Sequence, residues 1–205
     1  RANQRGALTL TRMKRLLADL GNPQTAYRSV HIAGSKGKGS TATMLSEMLR
    51  GNGLSVGLYT SPHLLDVRER IVIDSQRITE PQMASLVAKI AKLSAAYADE
   101  EQPTYFEVLT AAAFEYFKQQ KVDIAVVETG LGGRWDATNV LLPEVCGITS
   151  ISFDHMAQLG NTLGKIAEEK AGIFKENVPV VSAPQQADAK KALKRIAKET
   201  KSPIL

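Results

Sequence analysis

The chain has 205 residues, a formal net charge of +5, 43% hydrophobic residues and 5% aromatic ones, enough for one large domain, or a domain plus a fragment, with a substantial core. A single cysteine, Cys146, excludes an intrachain disulfide and suits a reducing compartment. No apolar run approaches the 18 or so residues of a membrane-spanning helix, so no membrane partner is expected.

The chain opens on Arg1 without a methionine, which leaves an upstream targeting peptide open. A first helix is expected over Leu8 to Leu20, where Met13, Leu16, Leu17 and Leu20 keep the helical period before Gly21 and Pro23. A strand follows at 29–33, then a glycine-rich loop, then a helix to about Arg50 with Leu45, Met48 and Leu49 inward. Val56 to Tyr59 reads as a second strand, ending in Thr60-Ser61-Pro62-His63. Residues 64–79 are polar and irregular, with an extended piece at Arg70 to Ile73. Thr79 with Gln82 forms a capping box, and Met83, Leu86, Val87, Ile90, Leu93 and Tyr97 trace one helical face. Phe106, Leu109, Ala113 and Phe117 trace another.

Val122 to Val127 reads as a buried strand ending in Glu128, and Val145 to Ile151 as the next, ending in Phe153-Asp154-His155. A helix at 162–175, a strand at 178–182 and a basic helix at 186–200 complete the series. Residues 170–205 hold eight Lys/Arg against three acids, which accounts for the whole net charge. No aromatic residue stands from Lys175 onward, so nucleic-acid binding is not expected: the run reads as a solvated face. The final Ser202-Pro-Ile-Leu looks like a strand beginning, so the chain reads as a piece of a longer protein. Strands alternating with helices predict an α/β fold, a mostly parallel sheet flanked by helices, with ligands outside the carboxyl ends of the strands.

The stretch His31-Ile-Ala-Gly-Ser-Lys-Gly-Lys-Gly-Ser40 carries the clearest chemistry. Glycines let backbone wrap an anion, the following helix N-terminus faces it, and Lys38 adds a point charge beside Ser40. The pattern G-x-x-G-K-G-S departs from the strict G-x-x-x-x-G-K-[ST] form. A flexible surface turn is the plain alternative; the strand before it and the helix after it argue for a nucleoside triphosphate instead.

Glu128 opens a second glycine-rich loop running to Asn139. An acid at a strand end can hold magnesium, or it can cap a helix or pair with Arg134. A histidine such as His155 is more often a structural residue than a magnesium ligand, because that ion prefers oxygen. Lys170, in Glu168-Glu-Lys-Ala-Gly-Ile173, reads by itself as a helix-surface lysine.

Together these segments are more specific. Ala33 to Ser40, Tyr59-Thr-Ser-Pro-His-Leu64, Thr104-Tyr-Phe-Glu107, Glu128 to Asn139, Asp154-His155 and Glu169 to Ile173 follow one family order. The chain resembles the folylpolyglutamate synthase and dihydrofolate synthase family within the Mur ligase superfamily, and so a P-loop-containing, Mur ligase-like ATPase domain. Most members read Thr-Asn where Ser35-Lys36 stands here. The resemblance implies that Gly34, Gly37, Lys38, Gly39 and Ser40 hold ATP. It implies that Ser61, Glu128 and His155 hold Mg2+. It further implies catalytic parts for Lys38, Lys170 and His155, with Lys170 carbamylated by carbon dioxide. Thr104, Tyr105, Phe106 and Glu107, with Trp135, Asp136 and Ala137, would contact the pteridine, and residues 64–79 would form a mobile loop.

The implied reaction joins L-glutamate to a folate or to dihydropteroate through an acyl phosphate. The implied C-terminal glutamate-binding domain is absent, so these residues alone should not turn over. The implied location is cytoplasmic, with mitochondrion or plastid left open by the missing N-terminus. A peptidoglycan Mur ligase and a non-catalytic assembly subunit are the alternatives.

Overall fold

A computed structural model describes residues 9–154 and 156–205, with backbone only at 156 and 157. Leu8 and His155 lie outside the described residues. Seven strands are β1 (Arg28–Ala33), β2 (Val56–Tyr59), β3 (Ile71–Ile73), β4 (Gln76–Arg77), β5 (Ile124–Glu128), β6 (Val145–Ile148) and β7 (Val180–Ser182). They form one sheet in the order β4-β3-β2-β5-β1-β6-β7. Neighbours from β2 to β7 pair in parallel, whereas β2–β3 and β3–β4 pair antiparallel. Parallel strands end on one edge, so the loops after β1, β2, β5 and β6 gather there.

The helices are α1 (Thr11–Asp19), α2 (Lys38–Gly51), α3 (Glu80–Ser94), α4 (Tyr105–Gln119), α5 (Met156–Leu159), α6 (Leu163–Lys170) and α7 (Ala187–Glu199). One core joins α1, α3 and α4 to Tyr59, Ala125 and Val127; another joins α6 and α7 to Ala33, Cys146, Ile148 and Val180. A third lies under α2, against Val30, Ile32, Val56, Leu58 and Val126. Alternate residues of β1 and β5 thus serve opposite faces, which is why these strands read as continuous apolar runs.

Several expected details differ. Met48 is 68% exposed, because α2 buries Ala42 and Ser46 with Leu45 and Leu49 half-buried. Val87 lies on the rim of α3 rather than its buried face. Residues 64–79 are more ordered than their polarity implied. Asp66 and Glu69 form a capping box at 67–70, and the short β3–β4 hairpin extends the sheet. The helix expected over 162–175 stops at Lys170 and tightens into a 3-10 turn over Ala171–Ile173. The end of the chain does begin a strand pairing, with Ile204 bridging Val180 in parallel.

His31, on β1, is wholly buried, and burial with the nearby Lys175 charge pushes its pKa down to about 3. An unfolded chain protonates this imidazole below about pH 6.5; the folded one does not until about pH 3. Its contribution is therefore complete above the unfolded value and drains away as pH falls between the two, by about 3 kcal/mol at pH 4. Urea titrations at pH 7 and pH 4 check this. The acid-induced loss should shrink by that amount in His31→Gln, and an equal loss in both proteins would refute it.

Candidate active site

The loop after β1 is built before any ligand arrives. Gly37 takes a left-handed φ of 82° as the N-cap of α2, where no side chain caps the helix and no acid stands in the first turn. The first N–H groups and the positive end of the helix dipole therefore stay open to an anion. A Cβ on Gly34 would sit 1.8 Å from Thr149 Oγ1, so only glycine fits between the two strand ends. Ser35 N–H donates to Ser150 O at 2.9 Å, and Ser35 Oγ donates to Ser152 O at 2.9 Å. These bonds lace the loop to the residues after β6. Gly39 and Ser40 lie in the first turn of α2.

Lys38 Nζ stands 3.7 Å from Glu128 Oε1, and Ser61 N–H donates to Glu128 Oε2 at 3.0 Å. Burial pushes the Glu128 carboxyl up, while the Ser61 N–H and the Lys38 charge pull it down. Glu128 thus meets the phosphate loop, and Arg134 turns instead toward Glu169, 3.5 Å away. A carboxylate and a serine hydroxyl are hard oxygen donors, the chemistry magnesium takes when phosphates and water complete its shell. Among the described residues no group of three His, Cys, Asp or Glu side chains gathers to hold a metal. His155, expected as a further ligand, lies outside the described residues.

Lys170 is not a surface lysine. It is 2% exposed, and its Nζ donates to Gly34 O at 2.6 Å, directly behind the phosphate loop. Burial, then the Lys38 charge, pushes its pKa down to about 8, with Asp154 and Asp136 opposing.

Beside this cluster lies a cleft of about 750 Å³, in the size range of small-molecule sites. Ser61, Phe106, Trp135, Asp136 and Ala137 line it, as do Thr104 and Glu107. The last two are also engaged in their own helix: Glu107 Oε2 accepts from Thr104 N–H at 2.7 Å and from Arg12 Nε at 3.2 Å. Tyr105 is 63% exposed and is not among the lining residues, because its position at the start of α4 turns outward. Burial pushes the Asp136 carboxyl up, opposed by the Thr138 hydroxyl and the N–H groups of Leu131, Thr138 and Gly130.

Arg12, Arg70 and Gln158 also line the cleft and escaped the sequence reading. Nothing in their local pattern marks them; Arg12 lies on the polar side of an amphipathic helix, and Arg70 ends a short turn.

A mostly parallel α/β sheet with an uncapped, glycine-entered helix at its carboxyl edge has the architecture of the nucleotide-binding α/β class. More particularly, the chain belongs to the Mur ligase middle domain family, whose model matches residues 32–205. It is similar to the dihydrofolate synthase/folylpolyglutamate synthase of Bacillus subtilis, 44% identical over 198 residues, 95% of this chain and 46% of that protein. It is similar also to a folylpolyglutamate synthase of Arabidopsis thaliana, 46% identical over 90% of this chain and 33% of that one.

Among solved structures, the folylpolyglutamate synthase of Thermotoga maritima matches with a TM-score of 0.90 at 39% identity, over 96% of this chain and 46% of that one. An FPGS–AMPPCP–folate complex matches with a TM-score of 0.94 at 39% identity, over 99% of this chain and 50% of that one. The chain therefore spans half or less of the length of these relatives.

Proposed function

We propose that the protein containing this chain is an ATP-dependent ligase that forms an amide between L-glutamate and a folate, or dihydropteroate, by way of an acyl phosphate. One observation carries this reading: the open phosphate loop, the Lys38–Glu128–Ser61 cluster and the cleft meet at one sheet edge. The likeness to the FPGS–AMPPCP–folate complex over nearly the whole chain supports it.

In this reading the N–H groups of Gly37 to Ser40 and the Lys38 ammonium hold and orient the phosphates of ATP. A substrate carboxylate attacks the γ-phosphorus and ADP leaves. The glutamate amine then attacks the acyl carbon, loses a proton and expels phosphate. The protein's contribution is positioning and charge neutralisation. Ser61 and Glu128, with His155 by family resemblance, would hold Mg2+, which when bound neutralises phosphate charge. The cytoplasm is the proposed location; among the described residues no helix is long and apolar enough to cross a membrane. A glutamate-binding domain beyond these residues belongs to the same proposal.

Lys170 is proposed to be carbamylated. Its neutral amine would attack carbon dioxide and lose one proton, keeping an N–H for Gly34 O and turning a buried cation into an anion. A pKa near 8 keeps a usable share of neutral amine at neutral pH. In full-length protein equilibrated with 13C-bicarbonate, a carbamate carbon signal is expected, absent in Lys170→Arg, together with a fall in kcat of about a hundredfold. A variant with full kcat would end this assignment.

The function itself is tested with full-length protein, ATP, magnesium and glutamate, offering dihydropteroate and tetrahydrofolate in parallel and detecting amide products by mass. Product from either supports the ligase and names its branch. Product only from a nucleotide-sugar peptide would move the protein to the peptidoglycan ligases, and none at all to a non-catalytic role.

A further inference from the structure

A hydrogen-bonded chain runs from the core of the sheet to the wall of the cleft. His31 Nε2 lies 2.8 Å from Thr138 Oγ1. The Thr138 hydroxyl bonds Asp136 Oδ1, and the Thr138 N–H donates to the same oxygen at 3.0 Å. Leu131 N–H donates to Asp136 Oδ2 at 2.8 Å. His31 and Thr138 are wholly buried, and Asp136 nearly so, yet Asp136 forms part of the cleft wall.

Counting protons gives the chain a direction. The Asp136 oxygens already face the backbone N–H groups of Leu131, Thr138 and Gly130, the pattern of an ionised carboxylate, which opposes the upward push of burial. The single Thr138 hydroxyl proton then goes to Asp136, so His31 must donate its Nε2–H to the Thr138 oxygen. His31 Nδ1 is left with a lone pair, and it has no hydrogen-bond partner among the described residues. The reverse direction would bury an N–H at Nδ1 without an acceptor and would need a protonated Asp136. An orphaned buried donor of that kind is costly.

We infer that His31 is a positioning residue for the acyl-substrate cleft: through Thr138 it holds the Asp136 carboxylate around which residues 130–138 fold. Leu131, Trp135 and Ala137 reach the cleft from that same segment. The phosphate loop is held separately, by Ser150 and Ser152. Loss of His31 should therefore weaken acyl-substrate binding and spare ATP. This inference rests on the proposed ligase reading for its substrate, and on geometry alone for its proton arrangement.

The test uses full-length protein. His31→Leu and Thr138→Val should each raise KM for the acyl substrate about tenfold, with KM for ATP unchanged and the double variant no worse than either single one. His31→Gln, whose amide N–H can reach the Thr138 oxygen, should restore KM to within about twofold. Equal rises in both KM values, additive effects or no rescue by glutamine would overturn the inference. If His31→Leu does not fold, Thr138→Val and His31→Gln carry the same comparison. Independently of turnover, 15N spectra of histidine-labelled protein should show His31 as the Nε2–H tautomer. An Nδ1–H tautomer would overturn the inference even in an active ligase. A wild type that makes no amide but shows the Nε2–H form would instead fault the function reading alone.

Discussion

Lys38→Ala should lower kcat of the full-length protein by at least about a thousandfold, the scale of losing a charge that acts on a transferring phosphoryl group. Lys38 stands at the first position of α2, where the helix dipole and the uncapped N–H groups already favour an anion. Its ammonium lies 3.7 Å from Glu128. On the proposed reading, removing it takes away the charge that would face the phosphates, and it also leaves a buried carboxylate without its counter-ion. The Glu128 carboxyl, already pushed up by burial, would then rise further, which would make it a poorer ligand for the magnesium proposed there. Both effects act in the same direction. Single-turnover measurements of ATP cleavage separate chemistry from product release. A variant within about tenfold of wild type would remove Lys38 from the phosphate site.

Gly172→Ala should destabilise the protein by about 3 kcal/mol, the upper end of overpacking costs. A Cβ there would stand 2.4 Å from Arg134 Cβ, 2.5 Å from its Cα and 2.7 Å from its backbone N. Two of those atoms are main chain, so no rotamer change relieves the clash. This is where the loop after β5 crosses the end of α6. Arg134 N–H donates to Glu169 O at 2.9 Å, and Asn139 Nδ2 donates to Gly172 O at 3.0 Å. Gly133 makes the matching approach, its Cβ position 2.6 Å from Lys170 O. Pushing these segments apart would shift Lys170 and the Trp135–Ala137 wall together, so a rise in KM should accompany the lower urea midpoint. A midpoint unchanged within about 0.5 kcal/mol would mean that the crossing yields.

Local features were legible from the chain alone. The open loop before α2 declares itself by glycines and a lysine between a strand and a helix, the residue types and order that wrapping an anion would need. The capping box at Thr79 is likewise local, closed by a side chain three residues on, whereas the matching box at Thr104 and Glu107 emerged only in the folded chain. Alternating strands and helices announced the parallel sheet, and the family order of short segments pointed to the ligase reading.

Tertiary structure decided what distance in sequence hides. Lys170 read as a surface residue by itself, yet the packing of α6 buries it against Gly34. Arg134 was a plausible partner for Glu128, but the turn of its loop sends it to Glu169. Met48 fitted an inward stripe, and the single layer of α2 on its face of the sheet left it in solvent. The His31–Thr138–Asp136 chain has no sequence signature at all. A pattern of types and spacings encodes contacts within one turn or one strand. Which distant side chains share a proton or a charge depends on strand order and register, and only the folded sheet brings β1, β5 and the loop beyond it together.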